Sequence, residues 1–320
     1  MATHYIEASD SVLHGSFSPE HKPVLTIENG DSVTLNTIGL EWGLKNKDGS
    51  EMSFRSRTKE KKPGHPLVGP IYINGAKPGM MIAVRINKIV PGWYGWNVGG
   101  GADSWQNQQA AISTEERTTL QWELDAEAMT GKTTIGTRSF QVPLSPFMGV
   151  MATAPAEKGL HSTIPPRYCG GNIDCKELVE GSTIYLPVAV EGALFSTGDG
   201  HAAQGDGEIS GTAIECPMDE VSLTFTLFEN QTISGPRADT PSGWLTFGFD
   251  VDLNKAAGMA LKEMIDLMQE RFQVSREEAI ALGSTVVDLR ITQVVNQVKG
   301  VHAVLPHGVL EVKASDQATK

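Results

Sequence analysis

The sequence predicts a mainly β protein, with a β-sandwich-like body and a smaller α+β element in its C-terminal third. Two observations predict the body: 34 glycines and 17 prolines punctuate the chain, and they separate many short apolar segments. Short strands divided by turn-forming residues are typical of a sandwich. A third observation predicts the C-terminal element, because helix signals are few before about residue 240.

Short apolar segments of strand character recur along the body. Residues 32–37 show the pattern, because Val33 and Leu35 fall on one face of an extended chain. We expect further strands at residues 24–27, 71–73, 81–89, 184–190, 211–214 and 221–227. Such regular spacing favours packed antiparallel sheets over a parallel sheet covered by helices.

The C-terminal third begins with a predicted helix. Six apolar residues share one face at helical spacing: Ala257, Leu261, Met264, Ile265, Met268 and Phe272. We therefore expect the longest helix in the region from Leu253 to Phe272. Ser275 and Glu278 form a capping-box pattern, which predicts a second helix that ends at Gly283. Strand character then returns at residues 285–295.

The stretch at residues 239–243 is the best candidate for a domain boundary, because it combines proline, glycine and small polar residues. We therefore expect a β-rich body at residues 1–240, which carries the candidate site. We expect an α+β element at residues 241–320, packed on that body or continuous with it.

Composition narrows the classes of partner and compartment. The net charge of −12 argues against a nucleic-acid partner, because phosphate binding needs clustered Lys and Arg. The first residues lack the pattern of a signal peptide, and no apolar run approaches the roughly 20 residues of a membrane helix. The three cysteines are an odd number. We therefore expect reduced thiols, a cytoplasmic location and no membrane partner.

The densest polar cluster lies at residues 196–208, where four glycines allow sharp turns and a close approach to a ligand. It offers Asp199, His201, Gln204, Asp206 and Glu208. Imidazole and carboxylate groups suit Zn²⁺ and related ions, and a remaining carboxylate can act as a general acid or base. The alternative is a polar surface turn that holds a structural ion or none.

Two smaller polar clusters are weaker indications of a functional site. Asn172 and Asp174 follow a proline pair and a glycine pair, but these residues also suit an ordinary turn. His65 lies between Gly64 and Pro66, where a turn residue is the commoner explanation. The sequence has no Gly-x-Ser-x-Gly, Walker A, His-Glu-x-x-His or Cys-x-x-Cys motif. Cys169 has no flanking basic residue to activate it, so we interpret it as a structural thiol.

Several stretches around these clusters resemble the acetamidase/formamidase family. In family order they are His14-Gly15, residues 64–76, residues 146–150, residues 165–174, residues 198–208 and residues 288–296. They span about residues 11–305, and the long motif around His201 is highly specific. Cys169 and Cys175 depart from the family pattern, because we expect other residues at these two positions.

The resemblance implies hydrolysis of a short aliphatic amide, such as formamide or acetamide, to a carboxylate and ammonia. It also implies a divalent metal ion, with zinc as the expected ion, and a homodimer or higher homo-oligomer. The family includes lactam-cleaving enzymes, so hydrolysis of a lactam or another amide is an alternative. A second alternative is a non-catalytic β-sandwich module that binds a small ligand.

The matching positions also imply roles for individual residues. We expect Asp174 and His201 to be metal ligands, and Glu208 to be either a third ligand or the group that transfers a proton. The candidates to orient the substrate or its oxyanion are His65, Asn172 and Gln204.

Overall fold

The computed structural model describes residues 1–312. The strands of this part of the chain are β1 (Thr3–Ile6), β2 (Leu13–His14), β3 (Leu25–Ile27), β4 (Ser32–Leu35), β5 (Gly43–Lys45), β6 (Glu51–Ser53), β7 (Leu67–Ile73), β8 (Met81–Pro91), β9 (Tyr94–Gly100), β10 (Arg117–Asp125), β11 (Thr130–Ile135), β12 (Arg138–Pro143), β13 (Phe147–Ala152), β14 (Gly170–Asn172), β15 (Thr183–Pro187), β16 (Phe195–His201), β17 (Met218–Phe228), β18 (Arg237–Thr240), β19 (Gly243–Asp250), β20 (Asp288–Gln293) and β21 (Lys299–Leu305). Its helices are α1 (Trp105–Gln109), α2 (Leu253–Phe272) and α3 (Arg276–Val286).

Two large sheets form the body. A nine-stranded sheet has the order β1-β4-β17-β8-β15-β18-β19-β21-β20, and a six-stranded sheet joins β14-β13-β16-β7-β2, with β3 also paired to β7. A four-stranded sheet (β12-β11-β10-β9) and the β5-β6 pair complete the described sheets. The β1–β4 and β3–β7 pairs are parallel. The mainly β fold expected from the sequence is therefore confirmed.

One apolar core joins the two large sheets, as a sandwich requires. Buried residues of β8 and β17 belong to the same cluster as those of β7, β13 and β16. Phe195 of β16 meets Phe225 of β17 edge to face, with ring centroids 5.1 Å apart. This packing holds β16 rigidly inside the molecule, and all seven of its residues are buried.

The C-terminal strands continue the nine-stranded sheet, because β19 pairs with β18 on one side and with β21 on the other. Helix α2 covers this end of the sheet, and a second apolar cluster joins it to β21 and α3. The boundary at residue 240 stays a prediction. The part of the proposed α+β element beyond residue 312 lies outside the described residues.

The helices follow the sequence closely. The predicted bounds of the long helix match α2, where Asp252 caps the N-terminus by accepting from the backbone N–H groups of Asn254 and Lys255. The capping box of Ser275 and Glu278 is present at the start of α3. The predicted end at Gly283 is wrong, because α3 continues to Val286 and places Gly283 against Met268 of α2.

The buried face of α2 also differs from the predicted one. Its buried residues are Ala256, Ala260, Met264, Ile265, Leu267 and Met268. The predicted members Ala257, Leu261 and Phe272 are only partly buried at the edge of the contact. Two alanines face the sheet where α2 lies closest to β19, because small side chains permit that approach.

The predicted strand at residues 211–214 is wrong. This segment is irregular and forms no strand ladder. Gly211 donates to the backbone carbonyl of Glu208, Ala213 donates to the side chain of Glu215, and the hydroxyl of Thr212 accepts from the backbone N–H of Val98 in β9. Ile214 exchanges backbone hydrogen bonds with Ala202 and Ala203. Glu215 then forms isolated bridges with Trp96 and His201.

The helices in the described part of the chain are all too short or too polar to cross a membrane.

Candidate active site

His201, the last residue of β16, lies at the centre of a buried group of carboxylates. Asp199 comes from the same strand, Asp174 follows β14, and Glu208 and Glu215 come from the irregular chain after β16. All five residues are buried, and each is at most 5% exposed. Four carboxylates and an imidazole are thus held together away from solvent.

The two ring nitrogens of His201 face different partners. Nε2 lies 3.4 Å from Asp199 Oδ2 and 3.3 Å from Glu215 Oε2. Nδ1 lies 3.0 Å from Gln204 Oε1 and 4.0 Å from Asp174 Oδ1. The ring of Phe147 packs edge to face on the imidazole, at 5.0 Å between centroids, and fixes its plane.

Gln204 determines which nitrogen carries the proton. Its Nε2 donates to the backbone carbonyl of Asp174 at 2.8 Å, so its Oε1 is the atom that faces His201 Nδ1. An amide oxygen only accepts, and therefore Nδ1 must donate. In the neutral imidazole the lone pair of Nε2 then points toward Asp199 and Glu215.

Three acceptor atoms therefore face one another when His201 is neutral: its Nε2, Asp199 Oδ2 and Glu215 Oε2. Buried carboxylates are strongly unfavourable without a compensating positive charge. The compensating charge at this place is either a second proton on His201 or a bound cation. In the absence of a metal ion, burial of His201 opposes its protonation, but Glu215 and Asp199 outweigh burial and raise its pKa well above the usual value.

The carboxylates differ in their ionisation. Burial raises the pKa of Asp174 well above its usual value, and Glu208 adds to the effect. Burial likewise raises the pKa of Glu208 to about 8. Burial also opposes ionisation of Asp199, but the charges of His65 and His201 outweigh it and lower its pKa to about 2. Neighbouring acids with separated pKa values are typical of sites that need both a proton donor and a permanent anion.

Backbone strain is concentrated in the same group. Asp174, Asp199 and Glu208 have φ values of 53°, 62° and 47°. This left-handed region is uncommon for residues other than glycine and costs about 1–3 kcal/mol for each residue. Strain of this kind persists where the surrounding structure imposes it, and it is frequent at functional sites.

Gly149 of β13 provides the space in which the group assembles. A Cβ atom at this position would lie 2.6 Å from Asp199 Oδ2, 2.7 Å from Asp174 Oδ1 and 2.9 Å from His201 Cε1. Any side chain here would therefore displace the carboxylates. The glycine in the stretch at residues 146–150 thus has a steric explanation.

The donor set fits a divalent metal ion. Two trios of ligand atoms lie within 4.8 Å of one another: Asp174, His201 and Glu208, and Asp199, His201 and Glu215. Four buried carboxylate oxygens have no hydrogen-bond partner: Asp174 Oδ1, Asp199 Oδ1, Glu208 Oε2 and Glu215 Oε2. Imidazole nitrogen with carboxylate oxygen is a combination that Zn²⁺ and related ions accept.

Four of the residues that were given a role from the sequence come together: Asp174, His201, Gln204 and Glu208. His65 is partly buried and bonds through its backbone N–H and Nδ1 to the hydroxyl of Thr163. Asn172 is buried on β14, two residues before Asp174, and its Oδ1 has no hydrogen-bond partner. Asp206 instead pairs with Lys176 at the surface, at 3.0 Å.

Three residues of the group were not assigned a role from the sequence. Asp199 lies in the glycine-rich cluster. Its position two residues before His201 could have indicated that both side chains lie on the same face of a strand. Asn296 Nδ2 donates to Asp174 Oδ2 and holds that carboxylate in place. Asn296 ends the last stretch that resembles the family. Glu215 has no local signal, because it directly follows a segment that looks like an ordinary strand.

Comparison with known proteins places this chain in a family. The acetamidase/formamidase family model matches residues 2–162 and 156–312. An acetamidase of Mycolicibacterium smegmatis is 26% identical over 317 residues, covering 75% of this chain and 74% of the relative. The crystal structure of an acetamidase from Bacillus halodurans has a TM-score of 0.79 at 28% identity, covering 94% of this chain and 97% of that one. An acetamidase from Yersinia enterocolitica has a TM-score of 0.80 at 28% identity, covering 95% and 92%.

A mainly β fold shared over almost its whole length with solved acetamidases makes this protein an amidase-type hydrolase. The match of the family model covers more than half of the chain. The chain therefore belongs to the acetamidase/formamidase family.

Proposed function

We propose that the protein hydrolyses a short aliphatic amide, of the formamide or acetamide type, to a carboxylate and ammonia, with a divalent ion at His201. Zinc is the ion we expect. The names of the relatives support the substrate class. The observation that carries the proposal is the convergence of Asp199 Oδ2 and Glu215 Oε2 on the lone pair of His201 Nε2.

Asp199, His201 and Glu215 are the residues that would hold this ion. The trio expected from the sequence, Asp174, His201 and Glu208, would use Nδ1 of His201, which already donates to Gln204. A divalent ion supplies a Lewis acid for the amide carbonyl and acidifies water. Gln204 contributes by keeping the proton on Nδ1, as partners of the free nitrogen of a metal-bound histidine generally do.

Asp174 and Glu208 are then free to move a proton. Amide hydrolysis adds the oxygen of water to the carbonyl carbon, breaks the C–N bond and delivers a proton to the leaving nitrogen, so that ammonia departs. In the metal-free site, burial raises the pKa of Glu208 to about 8, which favours the protonated form and makes Glu208 the candidate proton donor. Asn296 positions Asp174 beside it. We further propose that Asn172 and His65 orient the substrate, because the Oδ1 atom of buried Asn172 lacks a partner.

Burial supports a small substrate. The five residues around His201, including His201 itself, are only 1–5% exposed. A site so enclosed has little room for a long acyl chain beside the reacting carbonyl. We therefore expect formamide and acetamide to be better substrates than longer or aromatic amides.

An ammonia-release assay tests the reaction. The panel contains formamide, acetamide, butyramide, benzamide and a γ-lactam. Hydrolysis of the lactam opens its ring without releasing ammonia, so this reaction is measured as the disappearance of the lactam. We expect turnover to fall as the acyl group grows. Preference for the lactam would identify the alternative amide hydrolase. Binding of acetamide without turnover of any member would contradict the proposed reaction and favour a binding module.

Metal content in two matched variants tests the ligand assignment. Glu215→Gln and Glu208→Gln each replace one buried carboxylate of the group by an amide of the same size. We expect elemental analysis to show loss of the ion in Glu215→Gln and retention in Glu208→Gln. The reverse result would support the trio of Asp174, His201 and Glu208 instead.

Assembly and compartment are further parts of the proposal. We propose a homodimer or higher homo-oligomer in the cytoplasm, on the basis of the family resemblance and the cysteine usage. The three cysteines are free and buried in the structure, which agrees with reduced thiols. Sedimentation equilibrium measures the assembly, and a monomer at micromolar concentration would contradict it.

A further inference from the structure

A second group of metal-ligand side chains lies beside the first. Cys175, Glu177 and His302 bring ligand atoms within 4.8 Å of one another, and all three residues are buried. Cys175 Sγ donates to Glu177 Oε2 at 3.2 Å, and His302 Nε2 lies 3.5 Å from the same oxygen. A thiol, a carboxylate and an imidazole thus surround one point in the interior.

His302 has an unsatisfied nitrogen at that point. Its Nδ1 is 2.8 Å from the hydroxyl of Thr292, whereas its Nε2 has no hydrogen-bond partner although the residue is 0% exposed. Buried polar atoms are nearly always paired, so an unpaired imidazole nitrogen aimed at a thiol and a carboxylate needs an explanation. When Thr292 accepts from Nδ1, the lone pair of Nε2 is available to a ligand.

The surroundings of Glu177 leave one oxygen for that ligand. Arg290 donates to Oε1 at 3.1 Å, and Oε2 faces Cys175 and His302. Arg290 offsets the charge of Glu177, so a thiolate at Cys175 would be the negative charge that a bound cation balances. Cysteine sulfur with histidine nitrogen is a preferred ligand combination for Zn²⁺.

We propose that Cys175, Glu177 and His302 form a second divalent metal site, of the zinc type and distinct from the His201 group. On binding, the Cys175 S–H bond breaks, its proton passes to solvent and the sulfur bonds to the ion. The three protein donors leave one position of a tetrahedral ion for a solvent molecule.

The place of this site in the chain indicates its role. Cys175 directly follows Asp174, and Asn296, which holds Asp174, lies between β20 and β21. His302 is on β21 itself. An ion here would therefore tie the backbone after Asp174 to the same pair of strands and stabilise the left-handed conformation of Asp174. The site would position a residue of the first group without touching the substrate.

The competing explanation is an ion pair without metal. Arg290 would then pair with Glu177 beside His302, and Cys175 would stay a thiol, because burial raises the pKa of Cys175 well above the usual value. The two explanations differ in one property: only metal binding converts Cys175 to a metal-bound thiolate.

Cobalt spectroscopy of the full-length protein separates them. Chelator-stripped wild-type protein is loaded with Co²⁺, and the near-ultraviolet charge-transfer band of a cobalt–thiolate bond is measured. The trios around His201 contain no cysteine, so this band reports the second site alone. We expect the band in wild-type protein and a bound-cobalt content one ion per chain higher than in Cys175→Ser.

Three variants control the assignment. Cys169→Ser and Cys216→Ser remove the other two thiols and should keep the band, as should Glu215→Gln, which alters only the His201 group. Cys175→Ser should lose it. Absence of the band in cobalt-saturated wild-type protein would overturn the proposal, and this measurement requires no variant to fold. A band that persists in Cys175→Ser would overturn it as well. Neither result depends on amide hydrolysis.

Discussion

At the scale of single residues, the imidazole of His201 divides the site into two halves. Its Nδ1 side contains Gln204 and Asp174, and its Nε2 side contains Asp199 and Glu215. Because Gln204 holds a proton on Nδ1, the two halves have different chemistry. The Nε2 half can bind a cation, and the remaining pair, Asp174 and Glu208, can hold and transfer a proton.

The first prediction concerns Glu208. Glu208→Gln keeps the size of the side chain but removes its ionisable proton, so kcat should fall about 10²- to 10⁴-fold. Bound metal and melting temperature should stay near their wild-type values. Steady-state kinetics, elemental analysis and thermal unfolding of one preparation measure all three quantities. Wild-type kcat with full metal content would remove Glu208 from the reaction.

The second prediction concerns the space at Gly149. Gly149→Ala places a methyl group less than 3.0 Å from the carboxylate oxygens of Asp174 and Asp199, so the variant should lose bound metal and most activity. Gly99→Ala on β9 is the matched control, because no atom lies within 4 Å of its added methyl group. Metal analysis and ammonia release compare the two variants. Full activity in Gly149→Ala would contradict the steric explanation.

At the scale of elements, the contact between α2 and β19 depends on backbone proximity. A Cβ at Gly248 would lie 2.0 Å from the carbonyl oxygen of Ala256 and 2.6 Å from the backbone nitrogen of Ala260. The helix therefore rests on the strand with no side chain between them. This explains why Ala256 and Ala260 face the sheet there, whereas Leu261 and Phe272 lie at the edge of the contact.

The third prediction tests this contact with two glycines. Gly258 lies inside α2 with open space around its Cβ position, so Gly258→Ala should raise the free energy of unfolding by about 0.5–1 kcal/mol. Gly248→Ala should instead lower it, by about 1–3 kcal/mol, because the helix must move away. Thermal and urea unfolding measure both changes. Equal effects of the same sign would show that the helix does not rest on the strand backbone.

At the scale of the whole molecule, the site depends on connections between distant segments. Asp174, His201 and Asn296 come from different strands or loops, and the sandwich core fixes β16 between β13 and β7. An ion held by Asp199, His201 and Glu215 would add a link between β16 and the irregular segment that follows it. Its binding free energy would therefore stabilise the folded state.

The fourth prediction follows from that link. Removal of metal by a chelator should lower the melting temperature, and added zinc should restore it. Free ion at 100 times its dissociation constant stabilises a protein by about 2.7 kcal/mol for each site. The shift should be smaller in Glu215→Gln, which lacks one proposed ligand. An unchanged melting temperature after confirmed loss of metal would contradict an ion held between segments.

Local patterns predicted much of the fold and part of the site. The bounds of α2, the capping box of α3 and most strands depend on spacing and propensity over a few residues, which a sequence displays directly. Residues 211–214 look like a strand for the same reason. The backbone of Ile214 instead bonds to Ala202 and Ala203, and Gly211 bonds to Glu208. These pairings have no periodic signature in the sequence.

Local sequence patterns were sufficient to predict the fold class, the position of the long helix and Asp174, His201 and Glu208 as candidate site residues. Periodicity and glycine-rich polar motifs are properties of short segments, so the sequence displays them directly. The tertiary structure alone brought in Glu215 and Asn296 and assigned the proton of His201 to Nδ1. These features arise from contacts between segments far apart in the chain, where packing of the sheets decides which side chains meet. Periodicity describes one segment at a time, so it carries no information about contacts between distant segments.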